Sequence, residues 1–130
     1  MAFPTNPSTN TVHDNNGRVW VFNGYAWERL TDILVHHTIS VTGPSYSANF
    51  NDYYIGVSYN GTAGIILPEN PITGTVIIVK DESGHAGDPY KYIVIRGASY
   101  AHKIDNSDSA IININNGAID LIYRNGWRII

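Results

Sequence analysis

Short apolar runs, separated by Gly, Pro or Asn, make up most of the chain. Five runs are rich in the Val, Ile and aromatic residues that favour strands: residues 18–22, 53–59, 74–80, 90–96 and 118–124. No longer window repeats its apolar positions with helical periodicity. The pattern predicts an all-β fold, an antiparallel β-sandwich or prism with an N-terminal arm and an aromatic β-hairpin. We expect residues 1–30 to form the arm and hairpin and residues 31–130 to form the sandwich body.

The dipeptide Asn-Gly recurs along the chain and is the clearest turn signal. It occupies residues 16–17, 23–24, 60–61, 116–117 and 125–126. A two-residue hairpin turn of type I′ needs positive φ at both central positions, which Asn and Gly tolerate best. We therefore expect tight turns at these positions, with two-residue hairpin loops wherever β-rich runs flank the dipeptide.

Aromatic residues concentrate around the turn at residues 23–24. A two-residue loop there places Phe22 opposite Tyr25 and Trp20 opposite Trp27, with all four side chains on one face. An isolated hairpin is marginally stable in water, so this face must be covered by the rest of the chain, by a second copy or by a foreign partner. Ordinary core packing of Trp20 and Trp27 is the simpler alternative.

The last part of the chain, from residue 110 onward, is predicted to form a three-stranded antiparallel meander. Two-residue loops would align Ile112, Leu121 and Ile130 on one face and Ile111, Ile122 and Ile129 on the other. The run at residues 74–80 is nearly continuous and is also expected to be buried on both faces. Sheets of this kind need a second cover, which is either another layer of the same subunit or another subunit.

The composition bears on partners and location. Charged residues make up 15% of the chain, against about 25% in typical soluble domains. Few charges and many aromatic side chains favour a homo-oligomer over a monomer. The eight Lys and Arg are scattered and the net charge is −3, so no nucleic-acid partner is expected. The polar, Pro-containing N-terminus does not resemble a secretory signal, and no apolar run is long enough for a membrane span.

The sequence lacks the usual patterns of catalytic chemistry. There is no Cys, no phosphate-binding loop and no nucleophile elbow. His36 and His37 are adjacent and would point to opposite faces of a strand, and residues 105–109 lack the Gly and distant Glu of a calcium loop. Asp81 and Glu82 diverge for the same reason as the histidines. We expect a non-enzyme that needs no metal and no cofactor.

Two parts of the chain resemble proteins of tailed bacteriophages. The motif Phe3-Pro4-Thr5-Asn6-Pro7, followed by the paired-Trp hairpin within residues 14–27, resembles a short module of tail fibre, baseplate and neck proteins. Residues 53–57, 66–68, 74–84 and 126–130 are similar to β-rich domains of phage fibre and tail proteins. The absence of heptads and collagen-like repeats favours a compact decoration, connector or fibre-tip subunit over a long fibre.

The resemblance implies a non-enzymatic virion structural protein, made in the host cytoplasm, that assembles as a symmetric homo-oligomer, with a trimer favoured. Its partners would be further copies of itself and other virion proteins. Together with the aromatic pattern, the resemblance points to these attachment contacts: Phe3, Pro4, Trp20, Phe22, Tyr25 and Trp27.

Two other functions remain open. Exposed Tyr or Trp faces stack on sugar rings, so the alternative is a carbohydrate-binding module at a fibre tip that recognises a host surface glycan. A small hydrolase is a third possibility, but it would need a pocket of converging polar residues.

Overall fold

The computed structural model describes residues 3–15, 18–29 and 35–130. Every named element within these ranges is a β-strand, which confirms the all-β prediction. No helix long and apolar enough to cross a membrane occurs among them. The predicted domain boundary at residues 30 and 31, and the predicted turn at Asn16 and Gly17, lie outside the described residues.

The chain divides into two compact units, residues 1–35 and 36–130. The first unit is an antiparallel sheet in the order β1-β2-β3. Its strands are β1 (Val12–Asn15), β2 (Arg18–Phe22) and β3 (Trp27–Arg29). The sequence predicts an arm over residues 1 to about 12, and β1 begins where this arm ends. The predicted hairpin is therefore part of a three-stranded sheet.

The loop of the aromatic hairpin is longer than the sequence predicts. Phe22 pairs with Trp27 instead of Tyr25, which leaves residues 23–26 in the loop. The side chain of Asn23 explains the difference, because its Oδ1 accepts hydrogen bonds from the backbone N–H groups of Tyr25 (2.9 Å) and Ala26 (2.8 Å). Asn side chains compete with backbone pairing in this way at turns. The predicted pairing of Trp20 with Trp27 is therefore wrong, and Tyr25 lies in the loop.

The second unit, which we call the body, contains two sheets. The five-stranded sheet has the order β12-β11-β8-β6-β4, and the four-stranded sheet has the order β10-β9-β7-β5. The strands are β4 (Thr38–Val41), β5 (Ser45–Ser47), β6 (Tyr54–Val57), β7 (Ala63–Ile66), β8 (Val76–Asp81), β9 (Ile93–Arg96), β10 (Ser109–Ile112), β11 (Ala118–Tyr123) and β12 (Trp127–Ile129).

From β4 to β9 the chain alternates between the two sheets at every strand. Each strand therefore pairs with the next strand but one, and the four pairs β4–β6, β6–β8, β5–β7 and β7–β9 are parallel. The pairs β8–β11, β11–β12 and β9–β10 are antiparallel. The body is a two-layered β-sandwich as predicted, but its sheets are mixed. Asn60-Gly61 and Asn116-Gly117 follow β6 and β10, and each carries the chain into the other sheet instead of closing a hairpin.

The predicted C-terminal meander is wrong for the same reason. Strand β10 pairs with β9, so Ile112 lies opposite Ile93 and not Leu121. The hairpin between β11 and β12 exists, but its loop holds three residues, with positive φ at Asn125 and Gly126. Leu121 therefore pairs with Ile129, one position away from the predicted register.

The core lies between the two sheets of the body. Its apolar members are Val41, Ala48, Ile55, Val57, Ala63, Ile65, Leu67, Ile77, Val79, Ala86, Ile93, Ile95, Ile104, Ile112, Leu121 and Trp127. Strand β8 is buried on this side only, because Val76 and Ile78 on its outer face are half-buried. The prediction that β8 is buried on both faces is wrong. The body hides one face of each sheet by itself, and exposed isoleucines remain elsewhere on its surface.

Candidate functional site

Four of the six predicted attachment residues meet in one aromatic cluster in the N-terminal unit. The ring of Phe3 stacks on Trp27, with centroids 5.0 Å apart and planes inclined by 23°. It also makes a T-shaped contact with Trp20, with centroids 5.4 Å apart. Phe22 contacts Trp27 at 5.6 Å. All four side chains are half-buried. The sequence places Trp20, Phe22 and Trp27 on one face, as observed, but it does not predict the contacts of Phe3, and Tyr25 lies outside the cluster.

The other two predicted attachment residues lie outside this cluster. Pro4 is exposed, and the Tyr25 side chain is 96% exposed at the hairpin loop. The predicted arm is attached to the sheet over part of its length, because Asn10 donates a backbone hydrogen bond to Phe22 (2.7 Å) and Thr11 accepts one from it (3.0 Å). Phe3 thus covers part of the aromatic face that the sequence leaves open, and Tyr25 is the ring most available to a partner.

A groove of about 520 Å³ lies on the outer face of the four-stranded sheet. Ile66, Val94 and Arg96 form its floor, since they alternate along β7 and β9 with residues that point into the core. Its walls come from the segment after β9 and from the start of β10: Gly97, Ala98, Ser99, Tyr100, His102, Asp108 and Ser109. The groove has the size of a typical small-molecule site.

The wall of the groove is held by close backbone packing. A Cβ on Gly97 would lie 2.2 Å from the carbonyl oxygen of His102, so only Gly allows this approach. Ile104 is buried in the core beneath the segment. The backbone of Trp127 then fixes both neighbours of Ile104. Its backbone N–H donates to the carbonyl of Lys103 (3.0 Å), and its carbonyl accepts from the backbone N–H of Asp105 (2.9 Å). The groove is therefore built on a fixed support.

The polar groups of the groove differ in how they are paired. Lys103 forms an ion pair with Asp108. The guanidinium of Arg96, by contrast, has no hydrogen-bond or ion-pair partner among the residues that the structure describes. Tyr100 is 88% exposed, which leaves its ring face accessible. The groove thus combines an apolar floor, an open aromatic ring and a cation, Arg96, that no described residue pairs with.

The groove is not predicted by the sequence. All of its lining residues except Ile66 lie within residues 94–109, and parallel pairing of β7 with β9 brings Ile66 beside Arg96. Alternation along residues 93–96 could have placed Val94 and Arg96 on one face. Nothing in the sequence indicates which strand lies next to them.

The buried acids of the body, Asp81 and Asp52, stabilise the fold by accepting hydrogen bonds. Asp81 accepts hydrogen bonds from the backbone of Ser83, Ala86 and Asn116 at 2.9–3.0 Å and from the Ser83 hydroxyl at 2.6 Å. Burial acts to raise the pKa of Asp81, but these hydrogen bonds outweigh it and hold the pKa below its ordinary value. An ionised carboxylate with all these donors has no proton to give as a general acid.

Asp52 is buried and links β5 to the segment before β4. It accepts a hydrogen bond from the Tyr46 hydroxyl at 2.6 Å, and its other oxygen lies 3.0 Å from Nδ1 of His37. Burial, with the hydrogen bond and negative charge of Asp52, raises the pKa of Tyr46 to about 12. His36 instead stacks on Tyr53, so the two adjacent histidines have different contacts. Among the described residues, no group of three or more His, Cys, Asp or Glu could hold a metal ion.

Replacing Gly97 with Ala tests the support of the groove. The new Cβ would meet a backbone carbonyl, so the wall has to shift, and we expect a loss of about 1–3 kcal/mol in the free energy of unfolding. Gly43→Ala is the matched control, because a Cβ there has no neighbour within 4 Å. Urea unfolding followed by Trp fluorescence measures both. Equal midpoints for the two variants would contradict the close approach at Gly97.

No protein family matches the sequence, and a search of curated proteins finds no relative. The interpretation of both sites therefore depends on the residues and the geometry described above.

Proposed function

We propose that the protein is a non-enzymatic structural subunit of a tailed-phage virion. It docks onto another virion protein through its N-terminal unit and assembles through its body as a symmetric homo-oligomer, with a trimer favoured. The observation that carries the proposal is the aromatic cluster of Phe3, Trp20, Phe22 and Trp27 in a compact unit of its own.

The chemistry of this unit suits a docking surface. Four large rings remain half-buried, so a partner that covers them gains the burial that the small sheet lacks. Tyr25 adds an exposed ring beside them, and Tyr and Trp are the residues on which binding energy most often concentrates. The resemblance of residues 3–30 to a recurring phage module supports the same assignment.

The surface of the body supports self-association. Ile111, Ile114, Ile129 and Ile130 are exposed by 45–70%, and the chain carries few charges that would have to be desolvated. Large aliphatic side chains and few charges are characteristic of permanent interfaces. These exposed isoleucines take the place of the predicted two-faced meander as the basis for self-association, since each sheet of the body has its own buried face.

The docking test uses Tyr25→Ser. This change removes an exposed ring without removing a member of the aromatic cluster, so the N-terminal unit should stay folded. We expect phage particles assembled with this variant to contain about tenfold less of the protein or less still. The reason is that one aromatic anchor commonly contributes this much to the affinity of an interface. Tyr90→Ser, at an 84% exposed position of the body, is the control. Quantitative mass spectrometry of purified particles gives both amounts.

Equal incorporation of the two variants would overturn docking through the hairpin loop. Light scattering of the native chain at micromolar concentration tests self-association separately. A symmetric oligomer is expected, and a monomer at all concentrations would overturn that part of the proposal.

Carbohydrate binding is the second candidate function, and the groove on the four-stranded sheet favours it. An open Tyr100 ring, two serines and an apolar floor are the elements with which a protein holds a sugar ring. A virion subunit that faces the host would combine both functions.

A further inference from the structure

We propose that the groove on the four-stranded sheet selects acidic sugars, and that Arg96 binds their carboxylate. The ligand class is a saccharide that contains a uronic acid, a six-membered ring with a carboxylate. This inference depends on the second candidate function, carbohydrate binding, and names the class of glycan.

The charge distribution of the groove carries the argument. Arg96 lies on the floor between Ile66 and Ser109, its neighbours in the pairings with β7 and β10. Its guanidinium has no partner among the described residues, whereas the negative charge of Asp108 is compensated by Lys103. The remaining charge at the floor is therefore positive. A guanidinium binds a carboxylate through two parallel hydrogen bonds, which fix the orientation of the acid as well as its charge.

The rest of the groove fits a polyhydroxylated ring. The Ser99 and Ser109 hydroxyls can donate to and accept from sugar hydroxyls. Tyr100 offers a ring face for the apolar C–H face of a sugar. Ile66 and Val94 leave an apolar surface beneath them. The groove volume of about 520 Å³ lies within the range of small-ligand sites.

The backbone of the floor argues against an acidic peptide. Strand β9 is paired on one side with β7 and on the other with β10, so its backbone groups are already used in the sheet. A peptide that binds by strand addition needs a free edge. The floor of the groove therefore offers side chains, which suit a ring with hydroxyl groups and a carboxylate.

The test compares two probes of equal length by isothermal titration calorimetry: a trigalacturonate and the corresponding neutral galactose trimer. The native chain should bind the acidic trimer at least tenfold more tightly than the neutral trimer, because one charge-assisted hydrogen-bonded contact contributes about this much to affinity. Arg96→Gln should remove this difference, and Arg96→Lys should restore part of it because the charge returns without the planar fork. Arg124→Gln, at an exposed position in the loop after β11, is the matched control.

Each outcome decides one part of the inference. If both trimers bind equally and Arg96→Gln changes neither, carbohydrate binding stands and selection of acidic sugars is overturned. If neither trimer binds, both proposals fail. If acetate displaces the acidic trimer at equal concentration, the groove is a simple carboxylate site and the sugar class is overturned. Circular dichroism of each variant separates a lost contact from a lost fold.

Discussion

Replacing Asp81 with alanine should lower the free energy of unfolding by about 3–5 kcal/mol, because three backbone N–H groups and a hydroxyl lose their common acceptor. These donors belong to Ser83, Ala86 and Asn116, so one carboxylate joins the end of β8 to the loop after it and to the turn before β11. Asp120→Ala is the control, since Asp120 is exposed on β11 and its loss should change stability by less than about 0.5 kcal/mol. Urea unfolding at pH 7 measures both variants.

The same carboxylate makes the stability depend on pH. The pKa of Asp81 is lower in the folded chain than its ordinary value of 3.8, so the ionised group stabilises the fold at any pH above that value. This stabilisation is lost as the pH falls through the lowered pKa. We therefore expect the native chain to lose more stability than Asp81→Ala between pH 5 and strongly acidic solution. An unchanged difference between the two chains over that range would show that Asp81 is not held by these donors.

Replacing Trp127 with alanine should cost about 3–5 kcal/mol, since the side chain is fully buried and the cavity cannot close completely. Its ring meets the edge of Tyr123 at 5.4 Å, and its backbone holds Lys103 and Asp105 below the groove. The effect should extend to the groove. Any ligand affinity measured at Arg96 should fall together with the unfolding midpoint.

Trp127→Phe is the matched variant for this prediction. It keeps an aromatic ring, and it also removes an indole N–H that is buried and has no hydrogen-bond partner among the described residues. A much smaller loss of stability is therefore expected than for Trp127→Ala. Equal losses in the two variants would mean that the ring is not what fills this part of the core.

The sequence predicted the strands better than it predicted how they pair. Runs rich in Val, Ile and aromatic residues at 53–59, 90–96 and 118–124 correctly indicate strands, because these side chains fit the pleated backbone. The same composition occurs in parallel and antiparallel sheets. The Asn-Gly dipeptides predict hairpins, yet after β6 and β10 they lead into the opposite sheet. Only the tertiary fold decides whether such a turn closes a hairpin or crosses to the other sheet.

The candidate sites were predictable to different degrees. Trp20, Phe22 and Trp27 are close in sequence, so local strand geometry places them together. Phe3 reaches them because the chain folds back along β2, which its own sequence does not encode locally. The groove could not be predicted, since Arg96 and Ile66 become neighbours only through the pairing of β7 with β9.

The connections that cross between the two sheets of the body do not need a fixed length. Residues 42–44 link β4 to β5, whereas residues 82–92 link β8 to β9. In both cases the chain crosses to the other sheet, and all four strands take part in parallel pairing. Loop length costs little in conformational entropy, and surface connections carry variable residues in most proteins. A longer loop can therefore replace the shorter connection while the interior stays as it is, so the core does not limit the length of the loops that it carries.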